Sequence, residues 1–424
     1  MTKAKPYAIP KQLVWDAYKK VKANRGAAGV DGQSLAAFEK DLKNNLYKIW
    51  NRMSSGSYFP PPVRLVEIPK GNTGKTRPLG IPTVSDRIAQ TVVKLVLEPQ
   101  VEPHFHPDSY GYRPGKSALD AVGVTRQRCW RQNWVIDLDI KGFFDNLDWE
   151  LVLKALRHHT NVPWILLYVE RWLKAPVQRT DGSLEERTKG SRAPTAGWSG
   201  SVISPLLSNL FMHYAFDEWL RRNFPHIQFA RYADDAVIHA RSLSEAKQVL
   251  EAVRLRLLEC DLELHPEKTK IVYCQDSDRR GSHDHIQFDF LGYTFRPRRA
   301  KNRWGKLFVS FLPAVSNKAA NSIRATIRSW RLGATRNNQS LEAIAKFVNP
   351  YVRGWVNYYG RFYKSALTPV LRGLERSLVY WARRKFKRLR RHQRRAVHWL
   401  GRVARREPNL FEMWRIGIRP ATGQ

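Results

Sequence analysis

The chain has 424 residues, and its 73 Lys and Arg residues outnumber its 37 Asp and Glu residues, which gives a formal charge of +36. An excess of this size repels itself in a compact fold unless a polyanion neutralises it, so the composition favours a nucleic-acid partner. The three cysteines exclude a disulfide framework and a zinc site built on paired CxxC motifs. We expect neither a membrane span nor a secretory signal.

The N-terminal part is predicted to be helical and to lead into a hairpin. Apolar residues recur every three or four positions over Lys11–Asn24 and Ser34–Met53, and a glycine-rich stretch, residues 25–32, separates the two helices. After a run of three prolines, Val63–Pro69 alternates like a strand. Lys75–Leu79 is predicted to return as the second arm of a hairpin.

Strands and helices alternate through the middle of the chain, which predicts an α+β fold. The predicted elements are helices at Ser85–Glu98, Ser204–Phe224 and Leu243–Cys260, a strand at Trp134–Ile140, and a strand–turn–strand unit at Gln228–Ala240. From Asn321 onwards cations dominate, and Trp381–Arg406 has the pattern of a helix with a dense cationic coat. The body is therefore expected to carry a basic helical appendage.

Clustered carboxylates stand out in so basic a protein. Period-2 alternation puts Asp137 and Asp139 on one face of the predicted strand at 134–140. Asp234 and Asp235 interrupt an apolar, β-prone segment, as residues at the tip of a tight hairpin do. An isolated Asp-Asp pair is most often a solvated turn. The alternative is that these carboxylates converge on divalent cations, since Mg²⁺ takes carboxylates together with substrate phosphate oxygens.

The motifs around these carboxylates resemble those of the reverse transcriptase–maturases encoded by bacterial group II introns. Residues 232–235, Tyr-Ala-Asp-Asp, are similar to the polymerase hairpin motif, and residues 139–145, Asp-Ile-Lys-Gly-Phe-Phe-Asp, to the other metal-binding strand. Further similar blocks follow the family's order, at residues 68–70, 75–82, 109–115, 266–270 and 288–295. The resemblance implies an α+β right-hand polymerase, with fingers and a palm built on an antiparallel sheet, plus an all-helical thumb or maturase (X) domain.

The resemblance also implies roles for the matched residues. Asp139, Asp234 and the carbonyl of Ile140 would hold two Mg²⁺ ions, with Asp235 beside the primer end. The three aspartates are thus the candidate catalytic residues, and all four residues are candidate metal ligands. Phe144 would exclude a ribose 2′-OH and favour deoxynucleotides, although its own pattern alone would make it an ordinary core aromatic.

Besides Ile140 and Phe144, three further residues are implied in nucleotide binding. Lys70 and Arg77 would neutralise the triphosphate of an incoming dNTP, although two cations beside a turn are more often solvated. Gly200 would end the turn that usually reads Pro-Gln-Gly in the family. Here the segment at 191–199 is longer than the family's, and Ser199 stands where the glutamine belongs. A change in nucleotide affinity or processivity is therefore open.

The C-terminal region resembles the helical thumb, or domain X, at residues 313–316 and 349–359. Cations that meet phosphate and aromatic rings that stack on unpaired bases suit RNA, although Trp355, Tyr358 and Phe362 fit a thumb core equally well. The residues predicted to bind RNA are Arg353, Arg383, Arg384, Lys385, Lys387, Arg388, Arg390 and Arg391.

We expect three domains: an N-terminal extension at 1–60, reverse transcriptase fingers and palm at 61–305, and a basic helical thumb–maturase domain at 306–424. The expected function is that of an RNA-directed DNA polymerase, acting by two-metal nucleotidyl transfer, that also binds intron RNA and assists group II intron splicing and mobility. Two alternatives stay open. One is an RNA-binding maturase without polymerase activity, and the other is a host-adopted relative in DNA repair or phage defence.

The resemblance finally implies partners and a location. The partners would be the group II intron RNA, an RNA template with a DNA primer, dNTPs and target DNA, with no membrane. The location would be the bacterial cytoplasm, on the nucleoid when the protein is engaged with DNA.

Overall fold

The computed structural model describes residues 5–69, 76–190 and 201–422, without the side chains of Pro69 and Arg77. Lys70, Gly200 and the lengthened segment at 191–199 lie outside the described residues. The chain divides into two compact units, the first made of Met1–Ala121 with Trp134–Ile271 and the second of Val122–Asn133 with Val272–Gln424. The division into domains at 1–60, 61–305 and 306–424 stays a prediction.

The first unit mixes helices and strands. Its helices are α1 (Lys11–Asn24), α2 (Leu35–Glu39), α3 (Leu42–Ser54), α4 (Val84–Val101), the start of α5 (Ala118–Arg131), α6 (Phe143–Asn146), α7 (Trp149–His159), α8 (Pro163–Lys174), α9 (Ser204–Met212), α10 (Glu218–Asn223) and α11 (Leu243–Glu259). Its strands are β1 (Val63–Pro69), β2 (Thr76–Ile81), β3 (Trp134–Leu138), β4 (Val177–Gln178), β5 (Leu184–Glu185), β6 (Gln228–Tyr232), β7 (Asp235–Ala240) and the start of β8 (Lys270–Tyr273).

The predicted hairpin after the prolines is confirmed. Strands β1 and β2 pair antiparallel, from Arg64 opposite Ile81 to Pro69 opposite Thr76. Strand β4 then joins β1 in parallel, which makes a four-stranded sheet in the order β2-β1-β4-β5. The unit has a second four-stranded sheet, in the order β6-β7-β3-β8. In that sheet both β6 and β3 pair antiparallel with β7.

The N-terminal helices share one hydrophobic core with the rest of the first unit. Val14 and Ala17 of α1 are buried in that core together with Ile88 and Val92 of α4. The fully buried carboxylate of Asp86 accepts hydrogen bonds from the Tyr58 hydroxyl and the Trp172 indole at 2.8 Å each, and from Gln90 at 3.1 Å. Because a buried carboxylate is costly unless it is hydrogen-bonded, these donors tie α4 to α8 and to the end of the N-terminal segment.

Three predicted elements differ in detail from the structure. The helix predicted at Ser34–Met53 is split into α2 and α3, and the strand predicted at Trp134–Ile140 ends at Leu138, with an isolated bridge from Ile140 to Leu264. The helix predicted over Ser204–Phe224 is α9 and α10 joined by a π-helical turn, His213–Asp217. A π turn adds one residue to the helical repeat, which an apolar pattern read at 3.6 residues per turn does not register.

The second unit begins with strands and ends with helices. Its strands β9 (Phe288–Phe290), β10 (Tyr293–Lys301) and β11 (Leu307–Val315) form an antiparallel sheet in the order β11-β10-β9. The helices that follow are α12 (Asn317–Ser329), α13 (Leu332–Thr335), α14 (Leu341–Tyr363), α15 (Thr368–Lys385), α16 (Gln393–Arg406) and α17 (Glu412–Arg415). Their apolar faces enclose a separate core around Ile344, Leu371 and Trp414. The predicted basic helical region is confirmed beyond β11, but the helix predicted over Trp381–Arg406 is divided between the end of α15, a 3-10 turn at Lys387–Leu389 and α16.

Among the described residues, no helix combines the length and the apolar character that crossing a membrane requires.

Candidate active site

The Tyr-Ala-Asp-Asp motif forms the tight hairpin that its sequence predicts. Tyr232 pairs with Asp235, so Ala233 and Asp234 are the two residues of the turn between β6 and β7. Ala233 has a φ of 58°, in the left-handed region that a two-residue turn between antiparallel strands requires. Gly111 lies directly beneath the turn, because a Cβ atom at this position would come within 2.4 Å of the Ala233 nitrogen. The turn is therefore packed against the protein, and Asp234 is only partly exposed.

Asp139 reaches the same end of the sheet from the neighbouring strand. The last register pair of β3 and β7 is Leu138 with Ala236, so Asp139 follows β3 where Asp235 begins β7. The Asp139 side chain is 38% exposed, and the ammonium of Lys268 lies 3.4 Å from its Oδ1. The sequence thus predicted correctly that the two acidic motifs converge.

The segment after α11 holds the backbone of Asp139. The amide of His265 donates to the Asp139 carbonyl at 2.7 Å, and the Asp139 amide donates to the Thr269 hydroxyl at 3.3 Å. One residue further, the Lys141 amide donates to the Glu263 carbonyl at 2.8 Å. Residues 266–270 resemble a motif of the family, and these contacts give it a physical role: this loop fixes where Asp139 leaves the sheet.

The electrostatics of the turn fit a bound cation. Burial raises the pKa of Asp234 above its ordinary value and the nearby charge of Asp139 raises it further, while its own backbone amide and Arg231 lower it. A carboxylate pair of this kind is stabilised by a positive charge between its members. Among the described residues, no three His, Cys, Asp or Glu side chains form a ready-made metal cage.

A buried arginine supports the turn from behind. The Arg231 side chain is fully buried, and its guanidinium donates to both carboxylate oxygens of Asp217, at 2.7 and 2.5 Å. The same guanidinium donates to the Ala233 carbonyl and to the Ser109 hydroxyl at 2.9 Å each, and to the Asn209 side chain at 3.2 Å. Sequence reasoning missed this network. The available signal was a lone cation inside the apolar strand before the turn, since a charge is buried only when it is paired.

Comparison with known proteins agrees with this geometry. The family described as reverse transcriptase (RNA-dependent DNA polymerase) matches residues 68–295, and the group II intron maturase-specific domain matches residues 320–399. The first match spans more than half of the chain and contains Asp139, Asp234 and Asp235.

The chain belongs to the reverse transcriptase family.

Two curated relatives and one solved structure show the extent of the likeness. The reverse transcriptase is 30% identical over 348 residues to protein YkfC of Escherichia coli, covering 72% of this chain and 84% of YkfC. It is 30% identical over 209 residues to the group II intron-encoded protein LtrA of Lactococcus lactis, covering 49% of this chain and 33% of LtrA. A telomerase from Candida albicans aligns with a TM-score of 0.46 at 11% identity, over 90% of this chain and 67% of that one.

Family membership confirms the central predictions from the sequence. The comparisons bear out the α+β polymerase fold and RNA-directed DNA polymerase as the enzyme class. They also bear out the predicted maturase domain, at residues 320–399. Reverse transcriptases use divalent metal ions, and the maturase-specific domain makes RNA a partner of this one. The individual roles of the site residues stay predictions.

The structure places only some of the predicted nucleotide-binding residues. Ile140 is buried, and Phe144 is 9% exposed with its ring centroid 5.0 Å from that of Phe143. Phe144 thus lies at the edge of the core, as both interpretations of it require. The backbone of Arg77 lies in β2 opposite Ile68.

The predicted RNA-binding cations of the reverse transcriptase differ in their contacts with the protein and in their exposure to solvent. Arg353 lies 3.6 Å from Glu412, Lys385 donates to the carbonyl of Gln339, and Arg383 donates to the carbonyl of Arg390 at 3.3 Å. These three are engaged with the protein itself, and so is Arg384, which donates to the Tyr380 hydroxyl at 3.3 Å. The exposed cations of the predicted set are Arg353, Arg384, Lys387, Arg388, Arg390 and Arg391.

Proposed function

We propose that this reverse transcriptase extends a DNA primer along an RNA template at the end of the β6-β7-β3 sheet where Asp139 and Asp234 lie. The primer 3′-OH attacks the α-phosphate of the incoming dNTP, a new phosphodiester bond forms, and pyrophosphate leaves. The observation that carries the proposal is the register of β3, β6 and β7, which brings Asp139 and the turn that contains Asp234 to the same end of the sheet.

Asp139, Asp234 and the Ile140 carbonyl would hold two Mg²⁺ ions, with Asp235 beside the primer end. When bound, the ions would supply the positive charge that stabilises the attacking and leaving oxygens. The contribution of the chain itself is position. The turn, Gly111 beneath it and the loop at 265–269 keep the acceptor oxygens in place, so little reorganisation is needed during the reaction.

The remaining predicted residues complete the proposal. Lys70 and Arg77 would neutralise the triphosphate, Gly200 would lie beside the nucleotide, and Phe144 would select deoxyribose by contact with the 2′ position. The exposed cations of the predicted set, together with Lys385 and Arg383, would bind intron RNA to assist splicing and mobility into target DNA. The protein would act in the bacterial cytoplasm, on the nucleoid when bound to DNA.

Primer extension tests the proposal. Wild type, Asp234→Asn and the control Asp284→Asn, which alters an exposed aspartate, are compared on poly(rA)/oligo(dT) with Mg²⁺ and dTTP. We expect Asp234→Asn to lose at least about a hundredfold in rate, because a neutral amide holds a divalent cation poorly. The control should match wild type.

A second readout separates catalysis from folding. RNA affinity, measured by fluorescence anisotropy, should be the same for wild type and Asp234→Asn. No incorporation by wild type would instead favour a maturase that only binds RNA. Loss of RNA affinity in Asp234→Asn would show that Asp234 is structural.

A further inference from the structure

A groove lined with arginines lies in the second unit, outside the cations that the sequence singles out. It has a volume of about 530 Å³ and lies between α12, α13 and α15. Arg324 and Arg328 of α12, Arg331 at the start of α13 and Arg376 of α15 line it, with Tyr380 of α15. We call these five residues the arginine groove.

The arginines of the groove are available to a ligand. Arg328, Arg331 and Arg376 are exposed, and Arg324 is half-buried with one hydrogen bond, to Asn321 at 2.9 Å. Among the described residues, no ion pair within 4 Å involves any of these four arginines. Arg353, by contrast, lies 3.6 Å from the Glu412 carboxylate. The positive charge of the arginine groove is therefore not neutralised by close ion pairs, although Arg376 interacts with the nearby Glu375.

The wall of the groove fits around the Tyr380 ring. Tyr380 is 50% exposed, yet a Cβ atom on Gly333 would come within 2.6 Å of its ring, so only glycine at this position allows the ring to lie against α13. Arg384 donates to the Tyr380 hydroxyl at 3.3 Å and holds the other end of the ring. Arg331 has a φ of 44°, a left-handed conformation at the bend between α12 and α13. The backbone there adopts an uncommon conformation, which places Arg331 at the groove.

A second cavity extends the groove along α15. It has a volume of about 590 Å³, shares Arg376 with the arginine groove, and adds Arg372 and Glu375. Burial raises the pKa of Glu375, while Arg372 and Arg376 lower it. Among the described residues that line the two cavities, Glu375 is the one carboxylate. The arginines that line them outnumber it, so the two cavities together keep a net positive charge.

We propose that the arginine groove binds a single-stranded RNA backbone, with an unpaired base stacked on Tyr380. The inference rests on the proposed function, because the choice of RNA follows from the maturase-specific domain at residues 320–399, which contains all five groove residues. Planar guanidinium groups bind phosphate oxygens through paired hydrogen bonds. Unpaired bases stack on exposed tyrosine rings, whereas paired bases in a duplex do not offer their faces.

The test compares two variants that remove the same charge. The groove variant combines Arg324→Gln, Arg328→Gln and Arg376→Gln. The control variant combines Lys48→Gln, Arg157→Gln and Lys247→Gln, three exposed cations on α3, α7 and α11 of the first unit. The probe is a fluorescein-labelled RNA hairpin with single-stranded flanks, and a fully paired RNA duplex and an RNA–DNA primer–template are measured beside it.

We expect the groove variant to bind the flanked hairpin at least about tenfold more weakly than the control variant. Its plot of log affinity against log salt concentration should be less steep by about 2, since each lost phosphate contact removes about 0.7 on single strands. Equal losses in the two variants would overturn the proposal. So would a loss confined to the duplex or to the primer–template, which would mean that the groove grips paired nucleic acid.

Tyr380 provides a test that does not depend on charge. Tyr380→Ala should weaken binding of the flanked hairpin by about tenfold, the effect of losing one stacked base, whereas Tyr380→Phe should retain most of the affinity. Equal effects of both changes would contradict stacking. Primer extension by wild type is recorded separately: if it is absent while RNA binding still depends on the groove, the polymerase proposal fails and the groove assignment stands.

Discussion

The acidic end of the first unit's sheet and the basic surface of the second unit use charge in opposite ways. At the sheet, Arg231 and Asp217 are both fully buried, and their ion pair holds the turn that carries Asp234. On the second unit, Arg328, Arg376 and Arg388 are exposed, and the positive charge is spread over many side chains. The geometry of the proposed active site thus depends on a few buried residues, whereas the proposed affinity for a polyanion would be a sum over many weak contacts.

The buried ion pair gives the largest expected effect. Arg231→Met should lower the free energy of unfolding by about 3–5 kcal/mol, because it leaves Asp217 charged, buried and without its partner. The exposed control Arg222→Met should change it by less than about 1 kcal/mol. Urea denaturation followed by circular dichroism measures both.

A double variant separates stability from positioning. Arg231→Met with Asp217→Leu removes both charges and should recover much of the stability. It still lacks the hydrogen bond to the Ala233 carbonyl, so primer extension should remain well below wild type. Full recovery of extension would show that Arg231 acts on stability alone.

The carboxylate opposite the turn gives the next effect. Asp139→Asn should slow primer extension by at least about a hundredfold, since it removes a charged oxygen from the proposed metal site. Asp120→Asn, on an exposed carboxylate of α5, is the matched control. A rate for Asp139→Asn close to that of wild type would contradict the proposed role of Asp139. It would leave Asp234 as the principal carboxylate of the site.

A histidine cluster of the first unit predicts a pH dependence of stability. Burial, together with the neighbouring His104, His158 and His213, lowers the pKa of His159 from 6.5 to about 4. Its ring nitrogen lies 2.7 Å from the Tyr214 hydroxyl. The folded state therefore holds His159 neutral, while the unfolded chain takes up a proton below about pH 6.5. Stability is lost as the pH falls from 6.5 towards 4.

His159→Gln should reduce this loss. The difference in urea midpoint between about pH 7 and pH 5 should be smaller than in wild type, and His213, whose pKa burial also lowers, should maintain part of it. His392→Gln, on an exposed histidine, should keep the wild-type difference. If the difference in urea midpoint between the two pH values is unchanged in His159→Gln, the histidine cluster rearranges when it is protonated.

A single exposed cation gives the smallest effect. Arg388→Gln should weaken RNA binding by about threefold or less and reduce the salt slope by about 0.7–0.9, with no measurable change in unfolding free energy. A large loss from this one substitution would break the comparison, because it would make the basic surface as dependent on single residues as the turn is.

Local patterns in the sequence account for the acidic half of this comparison. Alternation predicted the strand that leads into Asp139, and an Asp-Asp pair inside an apolar segment predicted the hairpin tip. These features depend on residues close together in the chain. The family motifs then related the two acidic segments to each other, and the register of β3 against β7 agrees with that relation.

The tertiary structure decided what depends on residues far apart in the chain. Arg231 finds its partners on Ser109, Asn209 and Asp217, and no local pattern couples those positions. The arginine groove likewise forms where α12 and α15 meet, whereas the sequence pattern points to the denser run at 383–391. The excess of positive charge in the sequence thus predicted a polyanionic partner, and the local patterns around the aspartates predicted an acidic site. Packing alone determined which cations are bound up within the protein and which are left to a ligand, because burial and pairing depend on neighbours that only the fold brings together.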